Sequence, residues 1–188
     1  MSARPGPLVI VRHAPPLRAG ICYGRLEIPV APDAREAAAL VQLRLRPELY
    51  DNPGLGDFST VYSSPSSRCR ALAEKLALHF EAELVVDPRL RELNFGAWEG
   101  IPWSELHGDP AFEAWAKDWT RLSPPRGESL EDLEARVSAW WGVRGQRGGS
   151  DLLVGHAGVI RCLKVLKGRA SWTEAMSEAI PHLVPITL

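Results

Sequence analysis

The sequence holds only three cysteines, Cys22, Cys69 and Cys162, an odd number without the paired spacings of a metal knuckle or a redox motif. A disulfide framework is therefore set aside, and a reducing compartment, the cytoplasm, is expected. Net charge is nearly absent as well: 22 Lys and Arg face 23 Asp and Glu, for a formal charge of -1. That balance gives no overall pull towards nucleic acid or an acidic membrane face, so any anion must be held by a local group of cations. No apolar run reaches the length of a membrane span, and the one in "MSARPGPLVIVRH" is too short for a secretion signal. Internal repeats and low-complexity tracts are missing too. So are a GxxxxGK[ST] phosphate loop, a cysteine with an arginine at the spacing of a thiolate phosphate loop, and paired aspartates after a strand.

What the chain does contain fits one globular domain spanning residues 1–188, long enough to bury a sizeable core. Four short apolar runs read as buried parallel strands: Leu8 to Val11, Phe58 to Tyr62, Leu84 to Val86 and Leu152 to Val154. Three precede segments of helical period. The first, "PDAREAAALVQLRLRPELY", opens on Asp33 with Glu36 three residues on, a capping pattern. The second, "SRCRALAEKLALHF", repeats Leu72, Leu76 and Phe80 every four residues. The third, "AGVIRCLKVLKG", stops on Gly168. Alternating strand and helix predicts a three-layer α/β/α sandwich around a mostly parallel sheet. The C-terminal "SWTEAMSEAIPHLVPITL" predicts a short helix capped by Ser171 with Glu174, then an edge strand that tolerates its prolines.

Residues 95–141 differ, carrying six of the seven tryptophans and three helix-like pieces. They are expected to form a helical lid over the sheet, too short to build a core of its own. The glycine-rich stretch from Gly142 to Ser150 reads as a surface loop leading into the last buried strand.

In open α/β sheets ligands sit beyond the carboxyl ends of the strands. The first run delivers Arg12 and His13; the second delivers "SSPSSR", ending at Arg68; the third is followed by Arg91 and Glu92; the fourth delivers His156. That set suits a phosphate monoester. Guanidinium groups match phosphate oxygens with paired hydrogen bonds and stay charged. An imidazole between cations is kept neutral and nucleophilic, and a carboxylate can protonate a leaving oxygen and later accept a proton from water. Taken singly, each residue reads as well as a structural histidine or a surface charge. The agreement of four strand ends is what favours a site. His79, His107 and His182 lack that support and read as structural or solvent-exposed.

The segments "VIVRHAPP", "VYSSPSSRCRALAEKL", "LRELNFGAWEG" and "LLVGHAGVIR" resemble, in order, the signature segments of the histidine phosphatase superfamily, the phosphoglycerate-mutase-like proteins. The resemblance covers nearly the whole chain. It implies a phosphoglycerate-mutase-like fold and a metal-independent, cofactor-free phosphomonoesterase acting on a small phosphorylated substrate. His13 would be the nucleophile, Arg12, Arg68 and His156 the phosphate pocket, and Glu92 the acid and base. Within the superfamily, "GICYGRLEIPV", "LNFGAWEGIPWSEL" and "PPRGESLEDLEARV" look most like the α-ribazole phosphatase branch. Ala14 and Ala157 stand where the family often has glycine after each histidine, and Leu72 where many members carry threonine; Leu72 is expected to pack.

Selectivity is expected from the flanks of the pocket. Tyr23 and Arg25 either contact the substrate or belong to a loop held by its own packing. Trp98, between Gly96 and Gly100, is the tryptophan singled out for a substrate contact. Ser129 reads as a helix N-cap, and Glu128 either reaches the pocket or complements the helix dipole. Two other readings stay open: a mutase or small-ester phosphatase on the same fold, and a phosphate-binding module without turnover. No nucleic-acid or membrane partner is implied; monomer and homodimer are both open.

Overall fold

The structure, a computed structural model, describes residues 6–51, 58–144 and 149–188, with side chains for all of these except 47–51. Residues 1–5 and 145–148, which fall in the N-terminal segment and the glycine-rich loop read from the sequence, lie outside the described residues.

Each apolar run becomes a strand because it is bounded by breakers and followed by a segment whose apolar side chains recur at helical period. The order is β1 (Leu8–Arg12), α1 (Ala34–Asp51), β2 (Phe58–Ser63), α2 (Ser67–His79), β3 (Glu83–Val86), α3 (Trp103–Leu106), α4 (Pro110–Lys117), α5 (Leu130–Val143), β4 (Ser150–Gly155), α6 (Ala157–Leu166), α7 (Trp172–Ser177) and β5 (Pro185–Thr187). The sheet runs β3-β2-β4-β1-β5. Its first four strands are mutually parallel, and β5 closes the edge antiparallel to β1, with Ile10 opposite Ile186. The mostly parallel α/β fold expected from the sequence is what forms.

Strand alternation sorts the core into two layers. Val9, Val11, Val61, Leu152 and Val154 pack with α1 and α2 on one face. Leu8, Ile10 and Leu153 pack with α5 and α6 on the other. Leu72 is buried in the first layer. Asp33 caps α1 by accepting from the amides of Arg35 and Glu36. Ser129 with Asp132, and Ser171 with Glu174, form complete capping boxes at α5 and α7. Gly168 ends α6 with φ at +63°, the left-handed conformation that a helix stop uses.

Three expectations need correction. The run Leu84 to Val86 is not fully buried: β3 is the edge of the sheet, bonded to β2 alone, and Val86 is well exposed. The stretch 95–141 is not one excursion. Its last part, α5, belongs to a covering layer, because Leu133, Val137 and Trp140 face the sheet and α6. The remainder does build a small core of its own, in which Cys22, Trp98, Leu106 and Phe112 are buried with Phe95, Ile101, Trp103 and Trp115 against them. Length was a poor guide there, since each large aromatic ring buries roughly 150–250 Å².

At the amino end of the strands, away from the candidate residues, a buried ion pair ties the last helix turn to β4. Arg144 Nε lies 2.8 Å from Asp151 Oδ2 with both side chains almost fully enclosed. Its Nη2 donates to the carbonyls of Gly6 and Pro7.

Candidate active site

β1 and β4 are neighbours in register, Arg12 opposite Gly155, so His13 and His156 emerge side by side just beyond the carboxyl ends of their strands. Their ring centroids are 5.2 Å apart in an edge-on arrangement. Arg68 enters from the first turn of α2, which begins one loop beyond β2, and it completes the pocket. Its Nε lies 3.3 Å from His13 Nε2 and its Nη2 3.4 Å from His156 Nδ1. The same guanidinium donates to the carbonyls of Leu26 and Gly24 at 2.8 and 2.6 Å. That clamp holds its plane in place. Gly24 has φ at +45°, and a Cβ there would meet Glu99 Oε1 at 2.2 Å, so only glycine lets the loop pass this close.

The hydrogen bonds fix the tautomers. His13 Nδ1 is 2.7 Å from the carbonyl of Ala14, to which it must donate, and this leaves a lone pair on Nε2. His156 Nδ1 faces an arginine, which can only donate, so its Nε2–H is the donor to Ser64 Oγ at 2.8 Å. Burial holds the His13 imidazole well below its ordinary range, to about 3, with Arg68, His182 and Arg12 adding like-charge repulsion. His156, fully enclosed and beside Arg68 and His13, is likewise pushed far down. Both rings are neutral at neutral pH.

Arg12 donates through Nη1 to the Ile180 carbonyl at 2.7 Å, while its Nε is buried without a hydrogen-bond partner. Ser66 Oγ, at the start of α2, is buried and unpartnered too. Burial lowers the Arg12 pKa and the nearby Glu92 carboxylate opposes that.

Glu92 sits on the loop after β3. Its Oε1 accepts from the Leu93 amide at 2.9 Å and its Oε2 from the Gly158 amide, in the first turn of α6, at 3.2 Å. The loop itself is sewn to α5. Arg136 donates through Nη1 to the carbonyls of Arg89 and Arg91 at 2.6 and 2.7 Å, and through Nη2 to that of Glu92 at 3.2 Å. Glu128 pins Arg136 with two contacts of 2.6 and 2.9 Å.

Arg12, His13, Arg68, Glu92 and His156 are thus brought to one rim of the sheet. The flanking residues fare differently. Arg25 lies behind Glu92, pairing with Glu128 at 3.3 Å and reaching the Glu92 carbonyl at 3.5 Å. Tyr23 turns its hydroxyl to the Arg18 carbonyl, and its ring lines a groove with Ile21, Leu26, Ile28 and Pro29. Loop packing, not the phosphate cluster, occupies it. Trp98 is 2% exposed, wedged edge-on against Phe112 and Trp115, so it does not face the pocket. Glu128 serves Arg25 and Arg136 rather than a ligand, and Ser129 is the N-cap.

Sequence reading missed three contributors. His182, set aside as structural or solvent-exposed, donates from Nδ1 to the His13 carbonyl at 2.6 Å and packs its ring 5.2 Å from that of His13. The signal lay in the C-terminal edge strand: Val11 opposes Pro185, which brings the preceding "PHL" beside Arg12 and His13. Ser64 orients His156. Arg136 is a cation flanking the apolar stripe of α5, and such a charge needs buried acceptors.

A model of the histidine phosphatase superfamily (branch 1) matches residues 8–174. The chain belongs to this superfamily. It is 32% identical over 165 residues to a protein of Hydrogenobacter thermophilus named "Putative phosphoserine phosphatase 2", covering 85% of this chain and 77% of that one. It is 31% identical over 162 residues to a protein of Yersinia pestis named "Probable phosphoglycerate mutase GpmB", covering 82% and 71%. Among solved structures, the α-ribazole phosphatase of Shigella flexneri superposes with a TM-score of 0.82 at 21% identity, covering 97% of this chain and 89% of the other. The superfamily's fold is therefore present essentially throughout.

Proposed function

We propose that this chain is a phosphomonoesterase that works through a phosphohistidine at His13, with α-ribazole 5'-phosphate as its substrate. The observation that carries the first part is the Arg68 guanidinium bridging two neutral imidazoles, His13 at 3.3 Å and His156 at 3.4 Å. The Nε2 lone pair of His13 attacks phosphorus. The bond to the ester oxygen breaks, and that oxygen takes a proton from the Glu92 carboxyl. Arg68 and Arg12 offset the charge on the equatorial oxygens while the Nδ1 lone pair of His156 helps to hold the Arg68 guanidinium in place, and the unpartnered Arg12 Nε and Ser66 Oγ are donors an anion would satisfy. Glu92, now a carboxylate, takes a proton from water. The resulting hydroxide attacks phosphorus, the N–P bond breaks, and inorganic phosphate leaves with His13 neutral again.

The substrate assignment is supported by the segments that resemble the α-ribazole phosphatase branch and by the superposition on a structure of that name. A mutase of the same fold is the second reading, favoured by the identity to the Yersinia pestis protein. A panel of α-ribazole 5'-phosphate, phosphoserine and 3-phosphoglycerate, scored by kcat/KM, tests both. A preference for the ribazole ester supports the assignment. A phosphoenzyme that survives in water and passes its phosphoryl group to phosphoglycerate replaces it with the mutase. His13→Ala that still turns over any ester sinks the covalent mechanism.

A further inference from the structure

Glu92, Ala157 and Gly158 are shared between the phosphate cluster and a second feature, a cavity of about 130 Å³ on the lid side. Its far walls are Phe95, Trp115, Trp119, Leu133, Trp172 and Met176, contributed by the lid, α5 and α7. The rings are held rather than free. Trp115 is wedged against Trp98 at 5.4 Å in the lid core, Trp172 donates its indole N–H to Glu134, and Trp119 meets Trp172 edge-on at 6.0 Å. The single cation in the lining, Arg161, is committed to the carbonyls of Ala175 and Glu178 at 2.8 and 3.2 Å. The other ionisable group in the lining is Glu92 itself.

We infer that this cavity is the leaving-group subsite and that it takes a flat, uncharged, apolar ring, so the enzyme selects esters whose alcohol carries an aromatic group. The inference rests on the assignment of Glu92 as the acid, since the leaving oxygen must lie beside it. Pockets for small ligands are mostly apolar walls with a few placed polar groups, and this one has that character. The size suits one ring, because a cavity of about 150 Å³ lined by apolar side chains admits benzene. A carboxylate-bearing alcohol such as glycerate or serine would instead lose its hydration against aromatic walls, where Arg161 is already committed to two carbonyls.

The test uses two esters with similarly basic primary alkoxide leaving groups, 2-phenylethyl phosphate and ethyl phosphate, on the full chain. The kcat/KM ratio is expected to favour the phenylethyl ester at least tenfold, from roughly the contact an enclosed ring makes. Trp119→Ala and Trp172→Ala should each shrink that ratio several-fold, and Trp172→Phe should keep most of it. Hydrolysis of both esters at a ratio near one overturns the subsite and leaves the phosphatase reading intact. So does a ratio that neither alanine variant moves. If neither ester is hydrolysed, the phosphatase reading fails, and binding of benzimidazole, followed by tryptophan fluorescence, decides the subsite separately: saturable quenching weakened by Trp172→Ala upholds it, and no quenching overturns it.

Discussion

Replacing Gly158 by alanine should slow turnover while leaving the fold as stable as before, or more so. Gly158 lies in the first turn of α6 without a positive φ, so alanine suits its backbone and would favour the helix by up to about 1 kcal/mol. The new Cβ, however, would stand 2.2 Å from Glu92 Oε1 and 3.3 Å from its Cδ, where ordinary contact begins at 3.4 Å. The obstacle is the tip of a flexible side chain, so the carboxylate withdraws, by about 1 Å, rather than the helix. A shift of that size costs on the order of 10²-fold when the displaced group transfers a proton. The loss in kcat/KM, which reports formation of the phosphoenzyme and leaves out the water step that Glu92 also serves, should be largest for alkyl phosphates, whose alkoxides need protonation, and small for p-nitrophenyl phosphate, whose leaving group departs unaided. Steady-state kinetics on both esters, with thermal melting alongside, makes the comparison. Full activity towards the alkyl ester, an equal loss on both, or a fall in Tm of more than several degrees would each refute the reasoning.

Arg68→Lys should cost about 10²–10³-fold in kcat/KM, because one ammonium cannot span His13 and His156 while binding the Leu26 and Gly24 carbonyls; restored activity at high substrate would restrict its role to binding. Stability should decline on acidification. In the unfolded chain the imidazoles of His13 and His156 bind protons near pH 6.5, whereas the fold keeps His13 neutral down to about 3 and His156 far below its ordinary value. The unfolded state therefore holds more protons between those limits, and stability, complete above about pH 6.5, is lost as pH falls. Urea midpoints at pH 7.5 and 5 measure this, and His13→Gln should lessen the difference; an unchanged midpoint would contradict it. Asp151→Ala should cost about 3–5 kcal/mol in urea unfolding by leaving the enclosed Arg144 charge without its partner, while kcat of the folded enzyme holds.

The sequence made the sheet legible because Leu8 to Val11 and Leu152 to Val154 are continuous apolar runs, as strands buried on both faces read, and Phe58 to Tyr62 is rich in β-branched and aromatic residues. Edge position was not legible for β3: an apolar run carries no sign that its outer neighbour is missing. The rim residues were readable for a topological reason: Arg12, His13 and His156 stand at strand ends, Arg68 and Glu92 a short loop beyond one, and parallel strands end together. His182 and Arg136 were not. One joins the site through an antiparallel edge strand whose register no local pattern sets, the other through backbone carbonyls that a sequence does not display. Trp98 was misjudged because a tryptophan flanked by glycines looks open, whereas it is the lid's own small core that encloses the ring.

The stitching of the Glu92 loop to α5 by Arg136 divides custody of the reaction. In the proposed reaction the anion belongs to the sheet and α2, since β1, β4 and Arg68 carry the groups that would surround it. Delivery of the proton would belong to the helical half, which holds Glu92 through one guanidinium and one glycine amide. Lid side chains other than Glu99 and Glu128 could therefore change to welcome a new alcohol while the groups around phosphorus stay where they are.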